Sequence, residues 1–270
     1  MKISVIITTY NRPKALSIAL DSLMQQTQLP HEVIVADDGS DSTTKELLDS
    51  IYFDFFPIKH IWQEDNGFQA AAIRNRATAQ ATGDYLIYLD GDIAVLPHFI
   101  ERHLALAEPN WFVAGNRILL NQQITQLWES NRLSLFKWNR FDWLKARING
   151  SVNRLLPFIN ISAKKAWRKK KKTDWKGAKT CNLAVWKKDL LAINGFDEAY
   201  QGWGHEDADL AIRLIHTGIY RKDGRFSVPA LHLWHKENSR HNEKENWQRL
   251  QDRIADKDYT WAEKGLDQYL

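Results

Sequence analysis

The sequence predicts an α/β protein with a Rossmann-like, mostly parallel open sheet that is flanked by helices. Two observations predict it. Apolar runs of strand length alternate with helix-patterned segments along the first third of the chain, as in sheets that helices cover on both faces. A short polar cluster directly follows three of these runs. The 270 residues suffice for one such domain with an insertion.

The first half of the predicted sheet comes from two β-α units. Ile3–Thr8 is rich in β-branched residues and is predicted as a buried strand. Pro13 suits the first turn of the helix that follows, and apolar residues recur at helical spacing as far as Gln26. Glu32–Ala36 is predicted as a second buried strand, and a helix follows it through Leu48.

The alternation then continues to residue 120. The predicted elements are a strand at His60–Gln63, a helix at Phe68–Ala81, a buried strand at Tyr85–Leu89, a helix at Ala94–Ala107 and a strand-like run at Trp111–Leu120. Ligands of such sheets bind beyond the carboxyl ends of the strands, so the polar clusters there are expected to share one crevice.

The second half of the chain is less regular. Residues 121–176 lack clean periodicity and are rich in Trp, Arg, Asn and Lys, so we interpret them as an insertion. Order is predicted to return with Cys181–Trp186, a helix near Lys188–Ile193, a helix through His216, a strand at Val228–Trp234 and a helical tail from Glu243.

Composition limits the class of protein. Hydrophobic residues make up 44% of the chain and charged residues 26%, with a net charge of +4, which is ordinary for a soluble globular protein. The sequence has no apolar run of roughly 18 residues, so we predict no transmembrane helix. The single cysteine, Cys181, suits a reducing, cytoplasmic location and is expected to be a core residue.

Asp90, Gly91 and Asp92 follow a predicted buried strand. Two carboxylates offer the oxygen ligands that divalent cations prefer, and a glycine between them allows a tight turn and the close approach of a diphosphate. An ordinary strand-end turn is the alternative, because Asp and Gly are common there. The polar clusters at neighbouring strand ends favour a metal site.

Two further clusters suit a nucleotide. A carboxylate of Asp37 or Asp38 can accept a hydrogen bond from a pyrimidine base, although capping of the next helix by Ser40 is an equal alternative. The planar guanidinium groups of Arg74 and Arg76 suit diphosphate oxygens, with an exposed helix face as the alternative.

Two clusters in the second half suit catalysis and metal binding. Glu206 and Asp207 follow Gly202–Gly204 and open a predicted helix, whose dipole is expected to keep a carboxylate ionised as a general base. Simple helix capping is the alternative. His232 and His235 end a predicted strand and can complete a metal site, or they form an ordinary histidine pair.

Lys164–Lys179 is strongly cationic and contains Trp167 and Trp175. Such a segment suits an anionic membrane surface, nucleic-acid phosphates or a solvated loop. No nucleic-acid partner is expected, because four aspartates gathered in one crevice would repel phosphates unless a metal ion is present.

Taken together, the motifs resemble glycosyltransferase family 2. The motifs that carry the resemblance are Val5–Arg12, Val35–Ser40, Arg74–Arg76 and Tyr88–Asp92. Gly195–Asp209 and His232–His235 look like the C-terminal part of the β-1,4-galactosyltransferases and of bacterial chondroitin-type polymerases. Residues 121–176 lie outside the resemblance.

The resemblance implies a GT-A fold, a UDP-sugar donor, inversion at the anomeric carbon and a divalent ion, Mn²⁺ or Mg²⁺. The residues that it implies for the donor are Thr8, Tyr10, Arg12, Asp38, Arg74, Asp90 and Gly91. Those that it implies for the metal are Asp92, His232 and His235. It makes Asp207 the base beside Glu206, with Trp203 and Gly204 at the sugar. His205 and Ala208 depart from the galactosyltransferase pattern, which argues against a galactose preference.

We therefore expect a single domain over residues 1–270. Residues 1–115 would bind the nucleotide sugar, residues 116–180 would form a basic aromatic insertion, and residues 181–270 would bind the acceptor and carry the catalytic groups. The expected acceptor is a surface glycan or glycolipid, such as lipopolysaccharide or capsule, reached from the inner face of the cytoplasmic membrane. The alternatives are a nucleotidyltransferase-type enzyme and a catalytically inactive protein that binds glycan or nucleic acid.

Overall fold

The computed structural model describes residues 1–51, 55–155, 159–236 and 240–270. The strands within these ranges are β1 Ile3–Thr9, β2 Glu32–Asp37, β3 Ile58–Trp62, β4 Tyr85–Asp90, β5 Ile93–Val95, β6 Trp111–Ala114, β7 Asn116–Leu119, β8 Leu183–Trp186, β9 Tyr220–Asp223 and β10 Pro229–His232. The helices are α1 Pro13–Met24, α2 Ser42–Ser50, α3 Ala70–Gln80, α4 Phe99–Leu106, α5 Gln122–Glu129, α6 Arg140–Ile148, α7 Lys187–Ala192, α8 Glu206–His216 and α9 Glu243–Ala255.

The main sheet has the strand order β3-β2-β1-β4-β8-β6-β9. Strand β8 is antiparallel to both of its neighbours, β4 and β6, and the remaining pairs are parallel. The predicted mostly parallel sheet is thus confirmed. Its order reverses at β1, which lies between β2 and β4, and this creates the crevice at the carboxyl ends where such sheets bind ligands.

Buried side chains cover both faces of this sheet. Along β1, Val5 and Ile7 pack into one cluster together with Leu16 and Leu20 of α1. Ile6 points to the other face, into a cluster that also contains residues of α3, α7 and α8. This burial on both faces explains why the strands are continuous apolar runs rather than alternating ones.

A second, three-stranded sheet has the order β5-β10-β7. Its existence corrects two predictions. The helix predicted at Ala94–Ala107 begins only at Phe99, because β5 occupies the start of that range and Pro97 disfavours helical geometry before it. The strand predicted at Trp111–Leu120 divides at Gly115 into β6 and β7, which belong to different sheets.

Gly115 is where the chain leaves one sheet for the other. A Cβ atom at this position would lie 2.3 Å from the side chain of Asn182. The side-chain amide of Asn182 donates to the carbonyls of Asn116 and Val228, so only glycine lets the two segments come this close.

The described part of residues 121–176 contains two α-helices that were not predicted from the sequence. Helices α5 and α6 pack on the second sheet through a cluster that includes Trp128, Trp143, Ile118 and Leu231. Strand β9 was also missed, and the helical tail predicted from Glu243 ends as a helix at Ala255. No helix in the described part of the chain is both long and apolar enough to cross a bilayer.

Candidate active site

The candidate site lies where β1 and β4 end side by side. Thr8 of β1 and Asp90 of β4 are register partners. The amide of Gly91 donates to the carbonyl of Thr8 at 2.7 Å, and a Cβ atom at Gly91 would lie 2.8 Å from Oγ1 of Thr9. Glycine therefore allows the turn after β4 to lie directly against β1.

Asp92, His232 and His235 form a three-residue cluster with the geometry of a metal site. One ligand atom of each lies within 4.8 Å of the others. His235 Nε2 is 3.3 Å from Asp92 Oδ2, and His232 Nε2 is 3.7 Å from Asp92 Oδ1. Strand β10 pairs with β5, which begins at the residue after Asp92, and this pairing brings the histidines to the end of β4.

The chemistry of this cluster fits a cation. Oδ1 of Asp92 is buried and has no hydrogen-bond partner among the residues that the structure describes, which is costly unless a positive charge is nearby. Burial lowers the pKa of His232 to about 4, so this imidazole is neutral at physiological pH, as a metal ligand must be. Nδ1 of His235 lies 2.7 Å from the carbonyl of Lys236, which leaves Nε2 free to face Asp92.

Arg12 lies against the cluster of Asp92, His232 and His235. Its guanidinium donates to Asp92 Oδ2 at 3.0 Å and to Glu129 Oε1 of α5 at 3.1 Å. A cleft of about 440 Å³ opens beside it, lined among others by Trp234 and His235. Arg12 thus connects the start of α1 with Asp92 and with α5 of the insertion.

Arg74 joins the ends of β1 and β4 to the first turn of α8. It is 4% exposed. Its guanidinium lies 3.0 Å from Glu206 and 3.4 Å from Asp90, and Nε donates to Oγ1 of Thr8 at 3.1 Å. Arg76, in contrast, lies over the ring of Tyr269 at 4.9 Å, so the alternative of an ordinary helix-surface residue is right for Arg76.

Asp207 lies in the first turn of α8. Its side chain is partly exposed, so an acceptor can reach it. Desolvation by the surrounding protein and the charge of Glu206 raise its pKa to about 7, although Arg74 opposes them. Burial and the negative charge of Glu206 therefore oppose the effect expected of the helix dipole, which favours the ionised carboxylate.

The β2 end of the crevice holds Asp38 and Tyr10. Asp38 is buried and accepts from Gln63 Nε2 at 2.6 Å and from the amide of Gln69 at 2.9 Å. Tyr10 is 48% exposed, and its hydroxyl donates to Asp65 at 2.9 Å. No sequence signal pointed to Gln63, Asp65 or Gln69, because they lie in the loop between β3 and α3, which has no recognisable motif.

Ser40 does not cap α2. The N-cap is Asp41, whose carboxylate accepts from the amide of Thr43, whereas Oγ of Ser40 accepts from the amide of Asn11 at 2.9 Å. The proposed cap was therefore misplaced by one residue, and Ser40 instead ties the end of β2 to the loop after β1.

Trp203 and Gly204 lie in the turn before the acidic pair and are separated from it by His205. The guanidinium of Arg240 lies 4.7 Å from the Trp203 ring centroid. Gly204 has a φ of +113°, and a Cβ atom there would meet open space. The positive φ and not crowding is the reason for glycine at this position.

Two remaining predictions concern Cys181 and the basic segment. Cys181 is buried, and burial raises the pKa of its thiol to about 12, which confirms it as an unreactive core residue. Within Lys164–Lys179, Arg168 is 1% exposed and donates to backbone carbonyls, and Lys169 pairs with Glu108. Most other lysines of the segment are exposed.

Comparison with known sequences identifies the family. The sequence model described as glycosyl transferase family 2 matches residues 4–170, more than half of the chain. The chain belongs to glycosyltransferase family 2. A second model, described as the N-terminal domain of galactosyltransferase, matches residues 162–231. Most of residues 121–176, which were expected to lie outside the resemblance, are therefore inside the family match.

Named relatives of this family 2 enzyme include two polysaccharide synthases. It is 31% identical over 259 residues to the hyaluronan synthase of Pasteurella multocida, covering 87% of this chain and 24% of the relative. It is 30% identical over 246 residues to the chondroitin synthase of Escherichia coli, covering 87% of this chain and 34% of the relative. The chain thus spans a quarter to a third of the length of these relatives.

Solved structures confirm the GT-A fold. The S. aureus TarS 1-349 structure in complex with UDP-GlcNAc aligns with a TM-score of 0.63 at 16% identity, over 100% of this chain and 69% of that one. The GalNAc-T7 structure with UDP, GalNAc and Mn²⁺ aligns with a TM-score of 0.63 at 15% identity, over 93% of this chain and 48% of that one.

Proposed function

We propose that this glycosyltransferase moves a hexose or N-acetylhexosamine from a UDP-sugar to a glycan acceptor, with inversion at the anomeric carbon. One observation carries the proposal. Arg74 pairs with Glu206 of the acidic pair and with Asp90, which lies two residues before Asp92 of the metal-type cluster with His232 and His235.

A divalent ion suits the cluster of Asp92, His232 and His235. The unpartnered, buried Oδ1 of Asp92 supports a cation there. Two imidazoles with one carboxylate favour Mn²⁺ over Mg²⁺, which prefers oxygen ligands. When bound, such an ion supplies positive charge that stabilises the diphosphate leaving group.

The donor site is proposed from the residues at the ends of β1, β2 and β4. Asp38 would accept a hydrogen bond from the uracil, Thr8 and Tyr10 would line the nucleotide pocket, and Asp90 would contact the ribose. Arg12 and Gly91 would lie beside the diphosphate of the donor. UDP or UDP-GlcNAc in structures of the same fold supports a UDP-sugar donor.

Asp207 is proposed as the general base. A pKa of about 7 places it where a base is effective at neutral pH, and its partial exposure lets an acceptor hydroxyl approach. Arg74 holds Glu206 beside it, so Glu206 is proposed to contact the acceptor or donor rather than to take the proton. Trp203 on the preceding loop offers a ring on which a sugar can stack.

For the acceptor, we propose a surface glycan such as lipopolysaccharide, capsule or a related glycolipid. Two relatives are named as polysaccharide synthases, which supports a glycan acceptor. The exposed lysines of Lys164–Lys179 support contact with an anionic membrane from the cytoplasmic side.

Replacing the proposed base tests this function. Asp207→Asn should lower the transfer rate by about 10²–10⁴-fold, the usual contribution of a general base, while UDP affinity measured by calorimetry stays unchanged. Asp258→Asn serves as the matched control and should retain full activity. It replaces an exposed carboxylate that follows the end of α9.

Two outcomes would contradict the proposal. If Asp207→Asn lost UDP affinity and thermal stability together with activity, Asp207 would be a structural residue. If the wild-type protein bound UDP and glycan but released no UDP during long incubation with UDP-sugars and glycan, it would be a catalytically inactive glycan-binding protein.

A further inference from the structure

Helix α6 carries a stripe of large apolar side chains on its outer face. Phe141 is 82% exposed, Leu144 is 48% exposed and Ile148 is 79% exposed. Their spacing of three and four residues places them on one side of an α-helix. Single exposed apolar residues are common on proteins, but three aligned on one short helix indicate a contact surface.

The fold fixes this stripe on the outside. The opposite side of α6 buries Trp143 and Ala146 in the cluster under the second sheet. The helix also begins with a capping box in which Asn139 and Asp142 each bond the backbone of the other, so its geometry is set before any partner binds. Rotating the stripe inward would expose Trp143 instead.

Basic residues border the stripe on both sides. At 100° per residue, Lys145 lies on one edge, and Arg140 and Arg147 lie on the other. The surrounding segment, residues 130–155, contains several basic side chains and one acidic one, Asp142, which caps α6. These basic residues are Arg132, Lys137, Arg140, Lys145, Arg147 and Arg154.

We propose that this stripe and its basic border dock on the surface of an anionic phospholipid bilayer. An apolar stripe flanked by basic residues is the pattern of helices that lie in the membrane interface, where long basic side chains reach the headgroups. A second copy of this chain fits poorly, because it would place one basic border against another. Three side chains also offer far less area than the roughly 1,200 Å² of a stable complex.

The docking surface belongs to the same subdomain as the wall of the metal cluster. Trp143 and Ala146 of α6 belong to the same buried cluster as Trp128 of α5. Elsewhere on α5, Glu129 pairs with Arg12, and Oγ1 of Thr125 accepts from the amide of Trp234 at 2.9 Å. The docking surface itself does not depend on the proposed function. Only the further idea that a bound bilayer would present a lipid-linked acceptor to the enzyme rests on it.

Vesicle co-sedimentation tests the docking surface without donor or metal. The test variant is Phe141→Ser with Leu144→Ser and Ile148→Ser. The control carries Phe55→Ser, Leu29→Ser and Ile254→Ser, which replace the same three residue types at other exposed positions. On vesicles containing phosphatidylglycerol, we expect the test variant to bind about a hundredfold more weakly than wild type, and the control to bind like wild type.

Several results would overturn the docking surface. It fails if wild type does not sediment with anionic vesicles, if the test variant binds as well as wild type, or if neutral phosphatidylcholine vesicles are bound equally. It also fails if sedimentation velocity shows that wild type is a dimer and the test variant a monomer. Equal midpoints of thermal unfolding for wild type and the test variant show that the variant is folded.

A second measurement separates this inference from the proposed function. Transfer to a soluble oligosaccharide should be the same for wild type and the test variant, because α6 contributes no residue to the crevice. If neither wild type nor the test variant transfers sugar while vesicle binding still depends on α6, the proposed function fails and the docking surface stands.

Discussion

At the scale of single residues, Arg74 shapes the chemistry of the crevice. It is buried among Thr8, Asp90 and Glu206, and its charge opposes the rise in the pKa of Asp207 that burial and Glu206 cause. Without this cation, three carboxylates would share a site in which mutual repulsion favours protonation. Arg74 therefore keeps the proposed base near the midpoint of its titration at neutral pH.

This balance predicts how transfer depends on pH. The pKa of Asp207 is raised to about 7, and a general base works only when deprotonated. We expect kcat/KM to fall as the pH drops through about 7 and to reach a plateau above it. The check is a pH profile measured with a soluble acceptor at saturating Mn²⁺. A rate that stays constant across neutrality would show that the step is not limited by this carboxylate.

At the scale of elements, the first four parallel strands are the part that local sequence determines best. Three of them, β1, β2 and β4, are buried on both faces and show continuous apolar runs in the sequence, whereas the edge strand β3 is only partly buried. Strand β5, the division between β6 and β7, and strand β9 were not predictable in this way. They are three or four residues long, and their partners come from remote parts of the chain.

The helices of the insertion were not predicted from the sequence for a related reason. Helices α5 and α6 bury large aromatic residues rather than a regular stripe of Leu or Ile, and α6 has a second apolar face toward solvent. The capping box at Asn139 and Asp142 is a start signal that was present in the sequence and overlooked.

The cap of α6 predicts a measurable loss of stability. Asn139 accepts hydrogen bonds from the amides of Phe141 and Asp142, and replacing such a cap with Ala costs about 1 kcal/mol. Asn139→Ala should lower the free energy of unfolding in urea by this amount, whereas Gln123→Ala, at an exposed position of α5, should change it little. Equal losses in both variants would mean that the cap does not support α6.

At the scale of the whole molecule, the site depends on contacts between segments far apart in the chain. Asp92 follows β4, whereas His232 and His235 lie at and beyond the end of β10. Sequence motifs identified each of these residues singly, and the strand pairing of β5 with β10 brings them together. The pairs Arg12–Glu129 and Arg74–Glu206 left no local signal, because ion pairs between distant segments depend only on the fold.

The central claim is that Asp92, His232 and His235 bind a divalent cation that in turn binds the diphosphate of a UDP-sugar. Calorimetry of UDP binding with Mn²⁺ and with a chelator tests it most directly, in wild type and in His235→Ala. We expect wild type to need Mn²⁺ for tight binding, and the variant to bind at least about tenfold more weakly, since loss of even an indirect metal contact costs 10–100-fold. UDP affinity that is the same with Mn²⁺ and with chelator, or that His235→Ala leaves unchanged, would contradict the claim.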